Sequence, residues 1–261
     1  LEAPIEVPFA WSQGQARVRE ALICKITTDE GIVGWGEGGV SPSQPVIHDI
    51  FAPRLLGQDP SEINRLWGEL FHSIYNDSQT GGFGGGAISA VDIALWDIAG
   101  KAADKSVSGL LGGAVRQKVA VYATGLYYQD DPEYRKLIAE AEAYSEAGYR
   151  GMKTKVGGLS IEEDVHRVAV IRRAIGDDLF LMVDANKAYR PAVAIEIGRR
   201  LADLDIHWFE EPVMANDVDG YLQVKQRQPL AVAGGEVWYN RFDARDFLAR
   251  RALDIAQPDV R

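Results

Sequence analysis

The amino-acid sequence predicts an α/β protein in which a TIM-type (β/α) barrel follows a small α+β domain. From residue 118 onwards, short apolar runs alternate strictly with helical patterns, which is typical of a parallel sheet. Three of these runs are followed by Asp184, Glu210 and Glu236, spaced 26 residues apart. Because one strand–helix unit has about this length, the three acids are expected at the same end of neighbouring strands. This regularity favours a barrel over a doubly wound sheet.

Residues 1–115 are predicted to form the small α+β domain. Its first 18 residues contain Pro4 and Pro8 and are expected to be irregular. A β-hairpin should follow, with strands over 19–28 and 32–37 joined by turn residues.

The rest of this domain reads as helical. Helices are predicted over residues 44–56, 60–75 and 87–103. The glycine-rich segment 76–86 is expected to be a mobile surface loop, because no strand precedes it as a phosphate-binding loop would require.

Residues 116–261 are predicted to form the barrel domain. The expected strands are residues 118–124, 151–156, 179–185, 206–211, 230–235 and 254–258. The expected helices are residues 131–147, 160–175, 190–203, 215–226 and 240–250. A closed barrel of this type has eight strands, so we expect one that is incomplete at the C-terminus.

Composition limits the possible partners. The chain has 261 residues, 46% of them hydrophobic, and a formal net charge of −10. This charge argues against nucleic acid or an anionic membrane as a partner, because both bind basic surfaces. The sequence shows no signal-peptide pattern and no apolar run of membrane-spanning length, so a cytoplasmic protein is expected. The single cysteine, Cys24, is expected to be a packed thiol without a disulfide partner.

The residues at the predicted strand ends point to a metal site. Lys153 and Lys155 are two residues apart, so their side chains share one face of a strand and need anionic partners if buried. Asp184, Glu210 and Glu236 could provide these, but three carboxylates together also need a cation. An all-oxygen ligand set suits Mg²⁺ first and Mn²⁺ second. The alternative is that each acid caps a helix or pairs with a loop arginine.

A metal next to a lysine could serve proton abstraction. The ion can bind a substrate carboxylate, make the adjacent C–H more acidic and stabilise the enediolate that forms. The two lysines and the metal disfavour a charged amine, whereas the carboxylates favour it. The sequence therefore leaves the protonation state of the base open.

The sequence resembles the enolase superfamily, in its mandelate racemase/muconate lactonizing enzyme (mandelate racemase-like) subgroup. The motifs that carry the resemblance are Gly-Trp-Gly-Glu at 34–37, Ala-Leu-Trp-Asp-Ile-Ala-Gly-Lys at 94–101, Leu-Leu-Gly-Gly at 110–113, Lys-Thr-Lys at 153–155, Glu-Glu-Pro at 210–212 and the three spaced acids. The resemblance covers essentially the whole chain. It implies a modified (β/α)8 barrel with an N-terminal α+β capping domain.

The resemblance also implies roles for individual residues. The three spaced acids match the Mg²⁺ ligands of the family. Lys155 matches the base that abstracts or returns the α-proton, and Lys153 matches the lysine that supports it and neutralises the substrate carboxylate. Asn186 matches a substrate-binding position next to the metal. Asp259 matches the aspartate of an Asp–His dyad, whose histidine is expected beyond residue 261.

Substrate choice in the family depends largely on loops over the barrel mouth. Trp11 in the N-terminal segment, Phe83 in the glycine-rich segment and Tyr127 after the first barrel strand are candidates for substrate contact. Ordinary loop packing is the alternative for each of them.

The implied function is the Mg²⁺-dependent dehydration of a sugar acid in carbohydrate acid catabolism: α-proton abstraction, then loss of the β-hydroxyl. Racemisation or epimerisation of a 2-hydroxy acid or related carboxylate through the same intermediate is the alternative. A muconate-type cycloisomerase or dipeptide epimerase fits less well, since these carry lysine where this chain has Asp259. A non-catalytic binding protein of the same fold is a further possibility. We expect a homo-oligomer whose partner is a small-molecule carboxylate.

Overall fold

The structure, a computed structural model, describes residues 1–260 and begins with two antiparallel hairpins. Strand β1 (Glu2–Trp11) pairs with β2 (Gly14–Glu20), and β3 (Ile23–Thr27) pairs with β4 (Val33–Glu37). The prediction that residues 1–18 are irregular is therefore wrong. Both prolines lie in β1, and the register shifts between Pro4 and Phe9, so the ribbon accommodates them at an irregularity.

Five α-helical segments follow in the N-terminal part. They are α1 (Ser43–Pro45), α2 (Ala52–Leu55), α3 (Ile63–Tyr75), α4 (Gly82–Ala102) and α5 (Val107–Leu110). A π-helical turn (Val46–Phe51) joins the first two, so the predicted helix over 44–56 is one continuous helical stretch. The core of this part is formed by buried side chains of α3, α4 and the π-helical turn, among them Phe51, Leu66, Leu70, Val91 and Leu95.

The predicted loop over 76–86 is partly wrong, because α4 already begins at Gly82. The reason is close packing. A methyl group on Gly84 would collide with the carbonyl oxygen of Gln79, and one on Gly86 would come within 2.5 Å of the Cα atom of Gly39. These glycines allow backbones to touch, and a run of them in the sequence looks the same as a flexible loop.

Glycines also bring β4 onto α4. Gly34 and Gly36 share one face of the strand, and a methyl group on either would overlap a backbone carbonyl oxygen of the helix, at Ala94 and Ala90 respectively. The hairpin therefore lies with its backbone directly against α4.

The C-terminal part is a six-stranded parallel sheet of a partial barrel, with the strands in chain order. These are β5 (Ala123–Thr124), β6 (Gly151–Lys155), β7 (Phe180–Asp184), β8 (Ile206–Glu210), β9 (Val232–Gly234) and β10 (Ile255–Ala256). The helices between them are α6 (Arg135–Glu146), α7 (Ile161–Ile175), α8 (Pro191–Arg200), α9 (Val218–Arg227) and α10 (Arg241–Ala249). A short 3₁₀ helix, Ala202–Leu204, follows α8. The predicted fold class and the strand–helix alternation are confirmed.

The sequence signals at α7 show why the alternation was readable. Ser160 and Glu163 form a reciprocal capping box at its start, and Gly176 follows its end with φ of 70°. Fully buried strand residues such as Met152, Leu181 and Phe209 pack beneath the helices in one core. Within residues 1–260, no helix combines the length and the apolar character needed to cross a bilayer.

Candidate active site

Four neighbouring strands bring the predicted charged residues to one end of the sheet. Lys155 of β6 pairs in register with Asp184 of β7, and Asp184 pairs in register with Glu210 of β8. Glu236 follows β9 by two residues. The 26-residue spacing thus corresponds to the ends of three consecutive strands, because parallel strands all end at the same edge of the sheet.

The two lysines and two of the acids form a buried charged cluster. Lys153 Nζ lies 2.6 Å from Glu210 Oε1 and 3.5 Å from Asp184 Oδ2, and Lys155 Nζ lies 2.6 Å from Asp184 Oδ2. All four side chains are more than nine-tenths buried. Burial alone would lower the pKa of Lys153, but the adjacent Glu210 and Asp184 raise it above its ordinary value.

Further polar and aromatic groups complete the surroundings of Glu210. Its Oε2 accepts hydrogen bonds from Trp208 Nε1 and Gln257 Nε2, both at 3.0 Å. The ring of Tyr122 lies 5.8 Å from Lys153 Nζ. Sequence reasoning missed these residues, although Trp208 lies two positions before Glu210 and so shares its face of β8.

The third acid, Glu236, contacts a different lysine from Asp184 and Glu210. Lys187 Nζ lies 3.0 Å from Glu236 Oε1 and 2.7 Å from Glu211 Oε2, so one lysine bridges two carboxylates. Burial would raise the pKa of Glu236, but Lys187 lowers it on balance. Asn186, Lys187 and Glu211 all have positive φ, at 46°, 68° and 42°. Non-glycine residues are strained there, and such strain is common at functional sites. Glu211 belongs to the Glu-Glu-Pro motif, but no pattern in the sequence assigned it a partner, and none singled out Lys187.

The donor set fits a hard divalent ion, although the carboxylates do not converge. Among residues 1–260, no three His, Cys, Asp or Glu side chains gather closely enough to hold a metal. Asp184 and Glu210 contact the lysine pair instead, and Glu236 contacts Lys187. The oxygens are nevertheless those that Mg²⁺ prefers. The buried Oδ1 of Asn186 also has no hydrogen-bond partner in the described part of the chain.

Asn186, for which the resemblance implies a substrate-binding position next to the metal, lies next to the charged cluster. Its backbone N–H donates to Asp184 Oδ1 at 2.8 Å, and its carbonyl oxygen accepts from Gln13 Nε2 at 2.8 Å. Ser12 Oγ donates to the carbonyl oxygen of Ala185 at 2.7 Å. The tip of the β1–β2 hairpin is therefore fastened to the loop after β7.

A row of aromatic residues leads from Lys155, through Tyr127 after β5, to the β1–β2 hairpin. The ring of Tyr127 lies 5.5 Å from Lys155 Nζ, and the ring of Phe9 lies 4.2 Å from that of Tyr127. Trp11 continues this row, 6.4 Å from Phe9. The structure thus brings Tyr127 to the site, and it places Trp11 at the hairpin tip, beside Phe9.

Asp259 is placed on another side of the site. It lines a cavity of about 180 Å³ together with Glu236, Gly39 and Phe83. Phe83 is half exposed on the first turn of α4. The cavity joins Asp259 to the third acid, whereas the lysine pair does not line it.

Comparison with known proteins agrees with this architecture. Residues 2–112 match the family described as "Mandelate racemase / muconate lactonizing enzyme, N-terminal domain", and residues 136–261 match "Enolase C-terminal domain-like". The chain is 39% identical to the D-galactarolactone cycloisomerase of Agrobacterium fabrum, covering 100% of this chain and 69% of that protein. It is 39% identical to the arabinonate dehydratase of Saccharolobus solfataricus, covering 92% of this chain and 65% of that protein.

A solved structure shows the same fold. The crystal structure of a racemase from Streptomyces coelicolor with bound magnesium superposes with a TM-score of 0.92 at 31% sequence identity, covering 99% of this chain and 73% of that chain. The chain thus spans about two thirds of the length of these relatives. It belongs to the mandelate racemase/muconate lactonizing enzyme family of the enolase superfamily.

Proposed function

We propose that the protein is a Mg²⁺-dependent lyase that dehydrates a sugar acid by removing the proton α to its carboxylate. The observation that carries this proposal is the buried lysine pair in contact with Asp184 and Glu210 at the strand ends. Proton transfer requires a base within reach of the α-proton, and the carboxylates beside the amines are the groups that would hold the ion needed to offset the developing negative charge. The 39% identity to an arabinonate dehydratase supports the choice of dehydration.

Asp184, Glu210 and Glu236 are the residues that would hold the ion. When bound, Mg²⁺ would supply positive charge that makes the α-proton more acidic and stabilises the negative charge left on the substrate. The unpartnered oxygen of Asn186 beside Asp184 is available for a substrate hydroxyl.

The two lysines differ in their contacts, and this difference suggests their roles. Lys153 contacts two carboxylates and keeps its proton, because Glu210 and Asp184 raise its pKa despite burial. It is therefore suited to neutralise the substrate carboxylate. Lys155 contacts one carboxylate and lies against the Tyr127 ring, so it is the better candidate for the base.

The reaction balances with one proton removed and one returned. The α-C–H bond breaks and its proton passes to Lys155 Nζ, after which the β-C–O bond breaks and the hydroxyl leaves as water. The enol product becomes a 2-keto acid. We further propose that Asp259, across the cavity it shares with Glu236, orients the dyad histidine that the family resemblance implies, and that this histidine gives its proton to the leaving hydroxyl.

Two other outcomes share the first step. Racemisation or epimerisation returns a proton to the α-carbon instead of losing the hydroxyl. Cycloisomerisation of a sugar-acid lactone is favoured by one observation, the 39% identity to a D-galactarolactone cycloisomerase over the whole chain.

The product formed from a panel of sugar acids and their lactones, with Mg²⁺ in D₂O, distinguishes these reactions. A 2-keto acid from an open-chain acid supports dehydration, and deuterium uptake without a keto product means racemisation. Turnover of lactones alone means cycloisomerisation. Lys155→Met should lower kcat by about 10²–10⁴-fold, since this is what a positioned base contributes. Lys225→Met is the matched control, because Lys225 pairs with Asp254 away from the charged cluster. Unchanged turnover in Lys155→Met would refute the assignment of the base.

A further inference from the structure

Two buried arginines on α7 bind backbone carbonyls at opposite ends of the barrel. Arg167 and Arg172 are 3% and 7% exposed. Arg172 donates to carbonyl oxygens that precede β7 and β8, namely those of Gly176, Leu179, Leu204 and Asp205. Arg167 instead points to the end where the lysine pair lies. The two side chains thus have the same chemistry but serve different ends of the sheet.

Arg167 joins the end of β6 to the loop after β5. Its Nη1 donates to Thr154 Oγ1 and to the carbonyl oxygen of Lys155, both at 2.9 Å. Its Nη2 donates to the carbonyl oxygen of Tyr127 at 3.1 Å and to that of Leu126. Thr154 Oγ1 also donates to the Leu126 carbonyl oxygen at 2.8 Å. The guanidinium is a rigid planar fork, so it fixes these carbonyls relative to one another.

Two of these three carbonyls belong to Lys155 and Tyr127, whose side chains lie close to each other. The side chain of Lys155 points to the inside of the barrel, where its Nζ lies 5.5 Å from the Tyr127 ring. Arg167 holds the backbones of both residues from behind. We propose that Arg167 is a positioning residue that fixes Lys155 against Tyr127. This inference rests on the proposed function, in which Lys155 is the base.

The neighbouring Asp164 extends the same support to the next loop. Its Oδ1 accepts from Tyr128 Oη at 2.7 Å, and its Oδ2 accepts from the backbone N–H of Gly157 at 2.6 Å. The Arg167 guanidinium lies 4.7 Å from the Tyr128 ring, and the Tyr128 N–H donates to the carbonyl oxygen of Ala10 at 3.0 Å. The first turns of α7 thereby connect the loops on both sides of Lys155 with the β1–β2 hairpin.

The test compares Arg167→Met with Arg172→Met in steady-state kinetics and in amide hydrogen exchange. Arg167→Met should lower kcat about 100-fold, the cost of a displacement of about 1 Å at a reacting group, with little change in KM. It should also expose the amides of residues 122–130 and 150–158 to exchange. Arg172→Met removes a guanidinium that is also buried and also donates to backbone carbonyls, so it should lower stability as well. Its kcat should be unchanged and its faster exchange confined to residues 176–180 and 203–206.

Further variants keep the proposal falsifiable. Arg167→Lys keeps the positive charge but lacks the planar guanidinium that donates to several carbonyls at once. Its kcat should therefore remain as low as that of Arg167→Met. Thr154→Val conserves shape but removes the hydroxyl that accepts from Arg167 and donates to the Leu126 carbonyl oxygen. At about fivefold for one net hydrogen bond, it should lower kcat by about fivefold or more, even if Arg167→Met fails to fold.

Three results would overturn the proposal: equal losses of kcat in Arg167→Met and Arg172→Met, full activity of Arg167→Lys, or unchanged exchange at 122–130 in Arg167→Met. If the unaltered protein turns over no sugar acid, the proposed function fails and Arg167 cannot be positioning its base. Amide exchange then still decides whether Arg167 fixes the loop.

Discussion

Replacing Asp184 with Asn tests the buried charged cluster independently of catalysis. Asp184 is 1% exposed, and its Oδ2 lies 2.6 Å from Lys155 Nζ and 3.5 Å from Lys153 Nζ. In the variant Lys153 keeps Glu210, whereas Lys155 loses the carboxylate that contacts it. Removing one partner of a buried ion pair costs about 3–5 kcal/mol, because the other charge remains buried and uncompensated. For a chain of this size, that loss lowers Tm by about 10 °C.

Glu236→Gln is the matched control for this perturbation. The Glu236 side chain is 42% exposed, and Lys187 keeps its second partner, Glu211, when Glu236 is neutralised. An ion pair exposed to this extent contributes about 0–1 kcal/mol. In EDTA the free energy of unfolding of Glu236→Gln should therefore stay within about 1 kcal/mol of the unaltered protein.

In Mg²⁺, unlike in EDTA, the control variant Glu236→Gln should be less stable than the unaltered protein. At a concentration about 100 times its Kd, a ligand that binds only the folded state stabilises it by about 2.7 kcal/mol. Both variants lose a proposed ligand, so both should lose most of this gain. Urea unfolding followed by circular dichroism measures the free energy of unfolding of the unaltered protein and of both variants, each in EDTA and in Mg²⁺. A cost below about 1 kcal/mol for Asp184→Asn in EDTA would refute the burial argument. An undiminished Mg²⁺ effect in both variants would refute the ligand assignment.

Two further predictions concern packing and pH. Gly36→Ala would push a methyl group into the carbonyl oxygen of Ala90, so it should destabilise the protein by about 1–3 kcal/mol or more in urea unfolding. Gly68→Ala, in the open middle of α3, should instead stabilise it by about 0.5–1 kcal/mol, and similar effects of both would contradict the packing argument. Burial and the nearby Glu236 raise the pKa of Glu211 to about 8, against the opposing effect of Lys187. Glu211 therefore binds a proton more tightly in the folded state than in the unfolded chain, where the pKa of a glutamate is about 4.3. Its contribution to the free energy of unfolding is complete below about pH 4.3 and is lost as the pH rises towards 8. In EDTA, Glu211→Gln should remove this decline from unfolding curves measured between about pH 5 and pH 8, and an unchanged decline would exclude Glu211 as its cause.

The barrel could be predicted because its signals are local and repeated. Each strand is a short apolar run, and the acids recur every 26 residues, so a spacing argument was sufficient to place Asp184 and Glu210 on adjacent strands. The predicted strand over 118–124 was too long: only Ala123–Thr124 pairs with β6. An apolar run in the sequence does not show which of its residues pair with a neighbouring strand.

The misreadings arose where tertiary packing decides the local structure. The segment around Pro4 and Pro8 reads as irregular until a second strand pairs with it, and Gly84 and Gly86 read as loop residues until another backbone approaches them. Lys187 and Arg167 were missed for a related reason. Their partners lie on other strands or are backbone carbonyls, which a sequence does not distinguish from any other.

The hydrogen bonds that attach the β1–β2 hairpin to the barrel do not depend on which side chains the barrel residues carry. Ser12 and Gln13 donate to the main-chain oxygens of Ala185 and Asn186, and every residue type at those two positions supplies the same acceptor. Substitutions after β7 can therefore change the chemistry at the barrel mouth without releasing the hairpin. Substitutions of Phe9 or Trp11 can equally change the aromatic packing behind Tyr127 without altering the residues of the barrel. The hairpin and the loop after β7 therefore stay joined through main-chain acceptors that a change of side chain does not remove.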